Sequence, residues 1–245
     1  MVEVMERAGD SGLPEAEIAE NFSAIMLAGF HTTQNALCAA IYFILTHDDV
    51  RQKLVHELQS NVGSAESISG DVVQQLPYLN AVITEALRLY PPVPLGGPRV
   101  SPGAYVDGTY IPAGVSDRFR ENEEMPVLTK PVSQTEICTS LYALHHNPEY
   151  FSRADEFIPE RWIDPEWTDR RDAVQPFLVG SRSCIARYFA KQMLQLTLAA
   201  FFVEFEAEYV GRVKDWQRES RCYAFWELPE LKVKIRGRAG SVAAV

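Results

Sequence analysis

"PFLVGSRSCIARYFA", residues 176–190, ends a glycine- and serine-rich turn on one cysteine and then passes into a helical pattern. Cys184 stands shortly after Gly180 and Arg182. A thiol at the mouth of a helix meets unpaired N–H groups and the positive end of the dipole, which favour its thiolate form. The plain alternative is a structural cysteine beside a surface arginine, because free cysteine usually packs as a small hydrophobe.

Composition narrows the choices. The 245 residues are 47% apolar and 23% charged, enough for a globular core and too apolar for wholesale disorder. A net charge of -10 with no lysine-arginine cluster excludes nucleic acid as a partner. Cys38, Cys138, Cys184 and Cys222 lie far apart with no C-x-x-C pair, so they read as reduced thiols, neither a disulfide framework nor a zinc site.

Working outward from the cysteine, "IARYFAKQMLQLTLAAFFVEFE" has apolar helical periodicity. The tail, "CYAFWELPELKVKIRG", alternates like a terminal strand pair. Upstream, "NFSAIMLAGFHTTQNALCAAIYFILTH" (21–47) carries no Asp, Glu, Lys or Arg and is long enough to span a membrane. Its centre reads "HTTQN", which is costly in lipid, so the expectation is a long helix buried in protein with its polar patch facing something specific. "HDDVRQKLVHELQSNV" is an amphipathic helix, and "YLNAVITEALRLY" a second one stopped by "PPVP". "GGPRVSPGAYVDGTYIPAG" reads as small hairpin strands punctuated by Gly and Pro. The fold class is mainly α with a small β portion.

Four short motifs now fall in order. Phe177, Gly180, Arg182 and Cys184 have the spacing F-x-x-G-x-R-x-C; "AGFHTT" runs from Ala28 to Thr33; Glu85 and Arg88 form E-x-x-R; and "PERW" supplies Pro159, Glu160 and Arg161. Together they resemble the cytochrome P-450 (haem-thiolate monooxygenase) family, and the resemblance covers nearly the whole chain. It implies the C-terminal part of that fold, from the I helix to the C-terminus, with filamentous-fungal members the most similar in the proline-rich "PPVPLGGPR" and the "WELPELKVKI" tail.

The resemblance assigns roles. Cys184 would be the axial ligand of haem (iron protoporphyrin IX), its thiolate donating electron density toward bound oxygen. Gly180 would let the loop turn tightly against the porphyrin, Arg182 would hold a propionate, and Phe177 would shield the sulfur from water. Arg99 resembles a second propionate-binding arginine. His145 or His146 could also lie near the propionates, or be a plain core or surface histidine. Ala28 and Gly29 are small, leaving room for oxygen against the helix. Thr32 would hydrogen-bond that oxygen and help deliver protons, while His31 occupies the slot where the family normally has an acid and could relay protons near neutral pH. The competing reading of Thr32 is a helix hydroxyl bonded back to the preceding turn. Glu85, Arg88 and Arg161 would form a buried structural network under the haem loop. Ala186 stands where the family usually has glycine.

The family implies insertion of one oxygen atom of O2 into a small apolar organic substrate, with electrons from NADPH through NADPH-cytochrome P-450 reductase. For the full-length parent it implies the cytoplasmic face of the endoplasmic reticulum membrane. This chain, a partial domain over 1–245, would begin just before the I helix and carry no membrane anchor. Residues 115–139 separate two segments that adjoin in the family; they read as an atypical loop or disordered insert, with a translated intron as the hypothesis for its origin. Two alternatives stay open: a truncated, non-catalytic fragment, and a haem-thiolate isomerase or peroxygenase-like member needing no reductase.

Overall fold

The computed structural model describes residues 14–113 and 136–238. Helix α1, Glu15–Thr46, is 32 residues long, with Glu15 and Glu17 at the end where the dipole favours acid. Helix α2, Asp48–Asn61, buries Val50, Leu54 and Leu58, one face at a spacing of four. A short helix α3, Gly70–Gln74, precedes α4, Pro77–Leu89. Proline at the first turn of α4 lacks an N–H that would be unpaired there anyway. The next N–H groups, of Tyr78 and Leu79, donate to the two Glu57 carboxylate oxygens at 2.8 Å each, so α2 caps α4.

Among the described residues the β portion is four small antiparallel ladders. Strands β1 (Arg99–Val100), β2 (Pro102–Val106) and β3 (Thr109–Ala113) follow the proline stop, and β2 turns into β3 through Asp107 and Gly108, both at positive φ as a tight hairpin requires. Strand β4 (Glu136–Ile137) pairs with β1, and helix α5 (Leu141–His145) comes next. Helix α6 (Arg187–Glu204) leads into β5 (Phe205–Tyr209), helix α7 (Trp216–Glu219), and strands β6 (Arg221–Cys222), β7 (Trp226–Glu227) and β8 (Val233–Gly237). The core lies where the C-terminal half of α1 meets α2, α4 and α6, around Ile44, Leu54, Leu79, Leu198 and Phe202.

The mainly helical class with a small β portion agrees with the sequence expectation; several details differ. The end of the "FFVEFE" pattern is a strand, because Phe205–Tyr209 finds a partner in Val233–Gly237. The tail therefore enters two ladders, β6 with β7 and β8 with β5, in place of one terminal pair. The long apolar helix is buried from Asn35 onward, but Ile25, Met26, Leu27 and Phe30 are exposed. The expectation of a helix buried along its length fails there, since no described element covers that face. Among the described residues no helix is long and apolar enough to cross a membrane. Of residues 115–139, positions 115–135 lie outside the described residues, and Glu136 and Ile137 are drawn into a strand beside Arg99 and Val100.

Candidate functional site

The cysteine turn is closed by its own backbone. The Cys184 N–H donates to the Phe177 carbonyl at 2.8 Å, and the Leu178 N–H to that of Gln175 at 3.0 Å. Leu178 (φ 58°) and Gly180 (φ 76°) both take the left-handed conformation, which costs a side-chain-bearing residue more than glycine. A Cβ on Gly180 would meet nothing within 4 Å, so the backbone angle, not crowding by described atoms, asks for glycine. One turn of 3-10 helix, Gly180–Arg182, brings the chain to Cys184, whose side chain is exposed. Helix α6 starts at Arg187, so the cysteine precedes the first turn instead of opening it. Phe177 is half-buried against the core, whereas Arg182 and Ile185 stand in the open.

Behind this turn sits a charged cluster with no solvent contact. Glu85, Arg88 and Arg161 are each 0% exposed. Arg88 grips Glu85 with two bonds, Nε to Oε2 at 2.9 Å and Nη2 to Oε1 at 2.8 Å. Arg161 Nε adds a third at 2.9 Å, Trp162 Nε1 a fourth at 2.9 Å, and the Ile158 N–H a fifth at 3.1 Å. Further guanidinium donors go to carbonyls: Arg88 to His145, Ala154 and Glu156, Arg161 to Ser152 and Arg153. Every buried charge is thus paired and hydrogen-bonded, the condition under which such a group is tolerated.

Sequence reasoning missed the fourth member. Arg161 Nη1 also donates to Asp169, which accepts from Ser152 and from Trp167 Nε1 and makes the set neutral, two acids against two bases. Burial works against the Asp169 charge, but the Ser152 and Trp167 bonds and the Arg161 charge outweigh it and hold the carboxyl below its usual range. No short motif marks Asp169, whose partner lies eight residues back. Glu160 points elsewhere: despite burial, Lys53 (2.6 Å) and the Tyr78 hydroxyl (2.9 Å) hold its carboxyl low.

His145 is fully buried and ties the cluster to the turn. Its Nδ1 donates to the Arg88 carbonyl at 3.1 Å, and its Nε2 accepts the Gln175 N–H at 3.0 Å. An acceptor on one side and a donor on the other fix one neutral tautomer. Burial pushes its pKa down to about 4, and the Arg88 and His146 charges add to the effect. Of the two roles open to this histidine, the core one holds.

The "AGFHTT" segment lies on the exposed part of α1. A Cβ on Gly29 would meet nothing within 4 Å. The Thr32 hydroxyl donates back to the Ala28 carbonyl at 2.6 Å, the competing arrangement for a helix threonine. The His31 ring lies between two aromatics, stacked on Phe225 (centroids 5.9 Å apart, planes 15°) and edge-on to Phe30 at 5.5 Å. Phe225 is delivered by the β6–β7 hairpin, which Asn35 Nδ2 anchors to α1 through the Trp226 carbonyl at 3.1 Å. Arg99 is exposed on β1, with Nη1 bonded to the Pro98 carbonyl at 2.9 Å. Glu85, Arg88 and Arg161 are therefore brought into direct contact, and Phe177 with Cys184 through the backbone; Arg99 and Arg182 have no ion-pair partner among the described residues.

Comparison with known proteins gives consistent results. The family profile described as Cytochrome P450 matches residues 1–116 and 133–234. The chain is 32% identical over 241 residues to Cytochrome P450 monooxygenase ORF9 of Penicillium roqueforti, covering 98% of this chain and 43% of that protein. It is 36% identical over 224 residues to the trichothecene C-15 hydroxylase of Fusarium sporotrichioides (89% and 42%) and 35% identical over 244 to the averantin hydroxylase of Dothistroma septosporum (96% and 42%). Among solved structures, a crystal structure of a cytochrome P450 superposes with a TM-score of 0.74 at 26% identity, over 92% of this chain and 47% of that one. The chain spans less than half the length of these relatives.

Proposed function

This chain belongs to the cytochrome P450 family, and from that premise we propose that it forms the haem-loop half of a fungal haem-thiolate monooxygenase acting on a small apolar compound of secondary metabolism. The observation that carries the reading is the Cys184 turn: an exposed thiol on a hydrogen-bonded, left-handed loop, braced from behind by a neutral buried charge cluster.

The residues present fit a haem. One soft ligand is open to a face lined by apolar groups, with Ile185 fully exposed beside it. Arg182 and Arg99 are exposed cations with no carboxylate partner among the described residues, suited to two propionates. Residues 25–30 of α1 are exposed and largely apolar, and we assign them to the opposite wall of the site, where Gly29, with nothing within 4 Å of an added Cβ, would leave space for a diatomic ligand.

When bound, the group supplies activation of O2 so that one oxygen atom can be inserted into a C–H bond. The protein's part is orientation and proton supply. The Cys184 backbone is held by its own N–H bond to Phe177, so the turn that presents the thiol is formed before a cofactor arrives. Phe177, half-buried against the core beside the turn, is assigned to limiting water around the sulfur once the cofactor is bound. Thr32 must give up its bond to the Ala28 carbonyl for its hydroxyl to hold oxygen, a rotation about one side-chain torsion. His31, kept between Phe30 and Phe225, is the residue we assign to passing a proton toward that hydroxyl. Glu85, Arg88 and Arg161 touch no reacting atom; they hold the loop. Electrons are proposed to come from NADPH through a reductase, and the names of the fungal relatives, which include two hydroxylases, support the substrate class.

Haem titration tests the reading. The chain should take up haem stoichiometrically and give the thiolate-type carbon monoxide spectrum when reduced, and Cys184→Ala should lose that spectrum. Haem taken up equally well by Cys184→Ala, or never bound, would defeat the proposal.

A further inference from the structure

Between α4, α6 and residues 171–178 lies a cavity of about 170 Å³. That is an order of magnitude more than the ~10–15 Å³ one water needs. Arg171, Arg187 and Lys191 line it, and no Asp or Glu does, although the whole chain carries a net charge of -10. The Nε atoms of Arg171 and Arg187 are buried without a hydrogen-bond partner among the described residues. None of the three cations belongs to an ion pair among those residues. The one bond Arg171 makes through Nη2 ends on a neutral acceptor, the Asp164 carbonyl, at 2.5 Å. The polar floor is already engaged, with Gln195 Nε2 donating to Asn80 Oδ1 at 2.6 Å and Thr84 to the Asn80 carbonyl at 2.7 Å.

Like charges gathered in a partly enclosed space repel, and buried guanidinium donors without acceptors are unfavourable. One small anion answers the repulsion: its charge offsets the cations and its oxygens accept from their terminal N–H groups, with the shielded Nε donors reached by a turn of the side chain. We propose that this cavity is a binding site for a compact oxyanion of the phosphate or sulfate class. Phe177 and Leu178 supply an apolar wall, which keeps the local dielectric low and the attraction strong. The same two residues and Gln175 open the Cys184 turn, so an occupant steadies the turn from the side of α4 and α6.

The test needs no haem, so its failure is separate from failure of the monooxygenase reading. The full chain is titrated calorimetrically with inorganic phosphate at constant ionic strength against chloride, and amide exchange is followed over residues 175–184. Saturable binding is expected, with the dissociation constant raised at least tenfold in Arg171→Gln and in Arg187→Gln, and slower exchange at 175–178 when phosphate is bound. Lys232→Gln, outside the cavity, should bind as the parent does. In chloride alone each arginine variant should unfold at the parent's temperature or above it, since a repelling charge is gone. Absence of saturable binding, or an affinity untouched in both arginine variants, overturns the site. So does saturation by poly-glutamate with phosphate inert, because the cavity would then serve the acidic side chains of another polypeptide.

Discussion

The imidazole of His145 receives the backbone N–H of Gln175 at 3.0 Å, two residues before Phe177 and the start of the cysteine turn. Its other nitrogen is spent on the Arg88 carbonyl, so the ring has no room for a second proton without breaking the bond to Gln175. With a folded pKa of about 4 against the ordinary 6.5, the unfolded chain binds the proton first as pH falls. The native state is thus at no disadvantage from this group above pH 6.5, loses stability between 6.5 and 4, and carries the full penalty below 4. The size is on the order of 3 kcal/mol. Urea unfolding from pH 7 to 4 should show the loss, and His145→Gln should flatten it; parallel profiles for the two chains would refute the assignment. Asp169, whose folded pKa is depressed, loses its contribution at lower pH than His145, so the two windows separate.

Glu85 is the common acceptor of both buried arginines. Glu85→Gln keeps the shape but leaves the guanidinium charges short of one counter-charge, which should cost about 3–5 kcal/mol, the usual result of removing one partner from a buried pair. Asp169→Asn should cost less, because Asp169 meets only Arg161 of the two and takes neutral donors on its other side. Thermal unfolding of the two variants decides the order. Equal losses would show that the four groups do not divide as their contacts suggest.

What the sequence could reveal follows from the range of each interaction. Glu85 and Arg88 sit one helical turn apart, so their contact was legible as a spacing. The turn around Cys184 was legible because glycine and the left-handed backbone are coupled residue by residue. Asp169 and His145 were not, since their roles depend on where 3-10 turns and loops place them against α4, and no local pattern encodes that. The strand at Phe205–Tyr209 was hidden for the same reason: its apolar run continues the helix before it, and only the distant β8 ends the helix at Glu204. The exposed face of α1 reads as buried in sequence because apolar composition reports what a surface favours, whatever described element lies against it.

Gly180 gives a sharper check of the turn. At φ 76° an alanine is disfavoured by about 1 kcal/mol, yet its methyl would meet no described atom. Gly180→Ala should therefore lower unfolding stability by that small amount and loosen the Cys184 N–H bond to Phe177, seen as faster exchange of that one amide. A loss several times larger would mean that the methyl collides with something that packs on the loop in solution.

Phe225 reaches His31 from across the fold, and the stack is the contact that orients the ring on an otherwise exposed helix face. The planes are near-parallel, 15° apart, with the centroids 5.9 Å from each other, so the imidazole lies within reach of the phenyl ring current. Phe225→Ala should move the His31 ring-proton resonances and increase ring mobility, at a stability cost of about 0.5–1 kcal/mol. The buried cluster at Glu85 is anchored by other elements and should unfold as before. On the proposed role of His31 as proton donor, the same variant in a haem-loaded protein should divert more electrons to peroxide, because a freely turning imidazole spends less time in a productive orientation. Unchanged His31 resonances would show that the hairpin does not hold the ring, and Phe225 would then have no part in orienting His31.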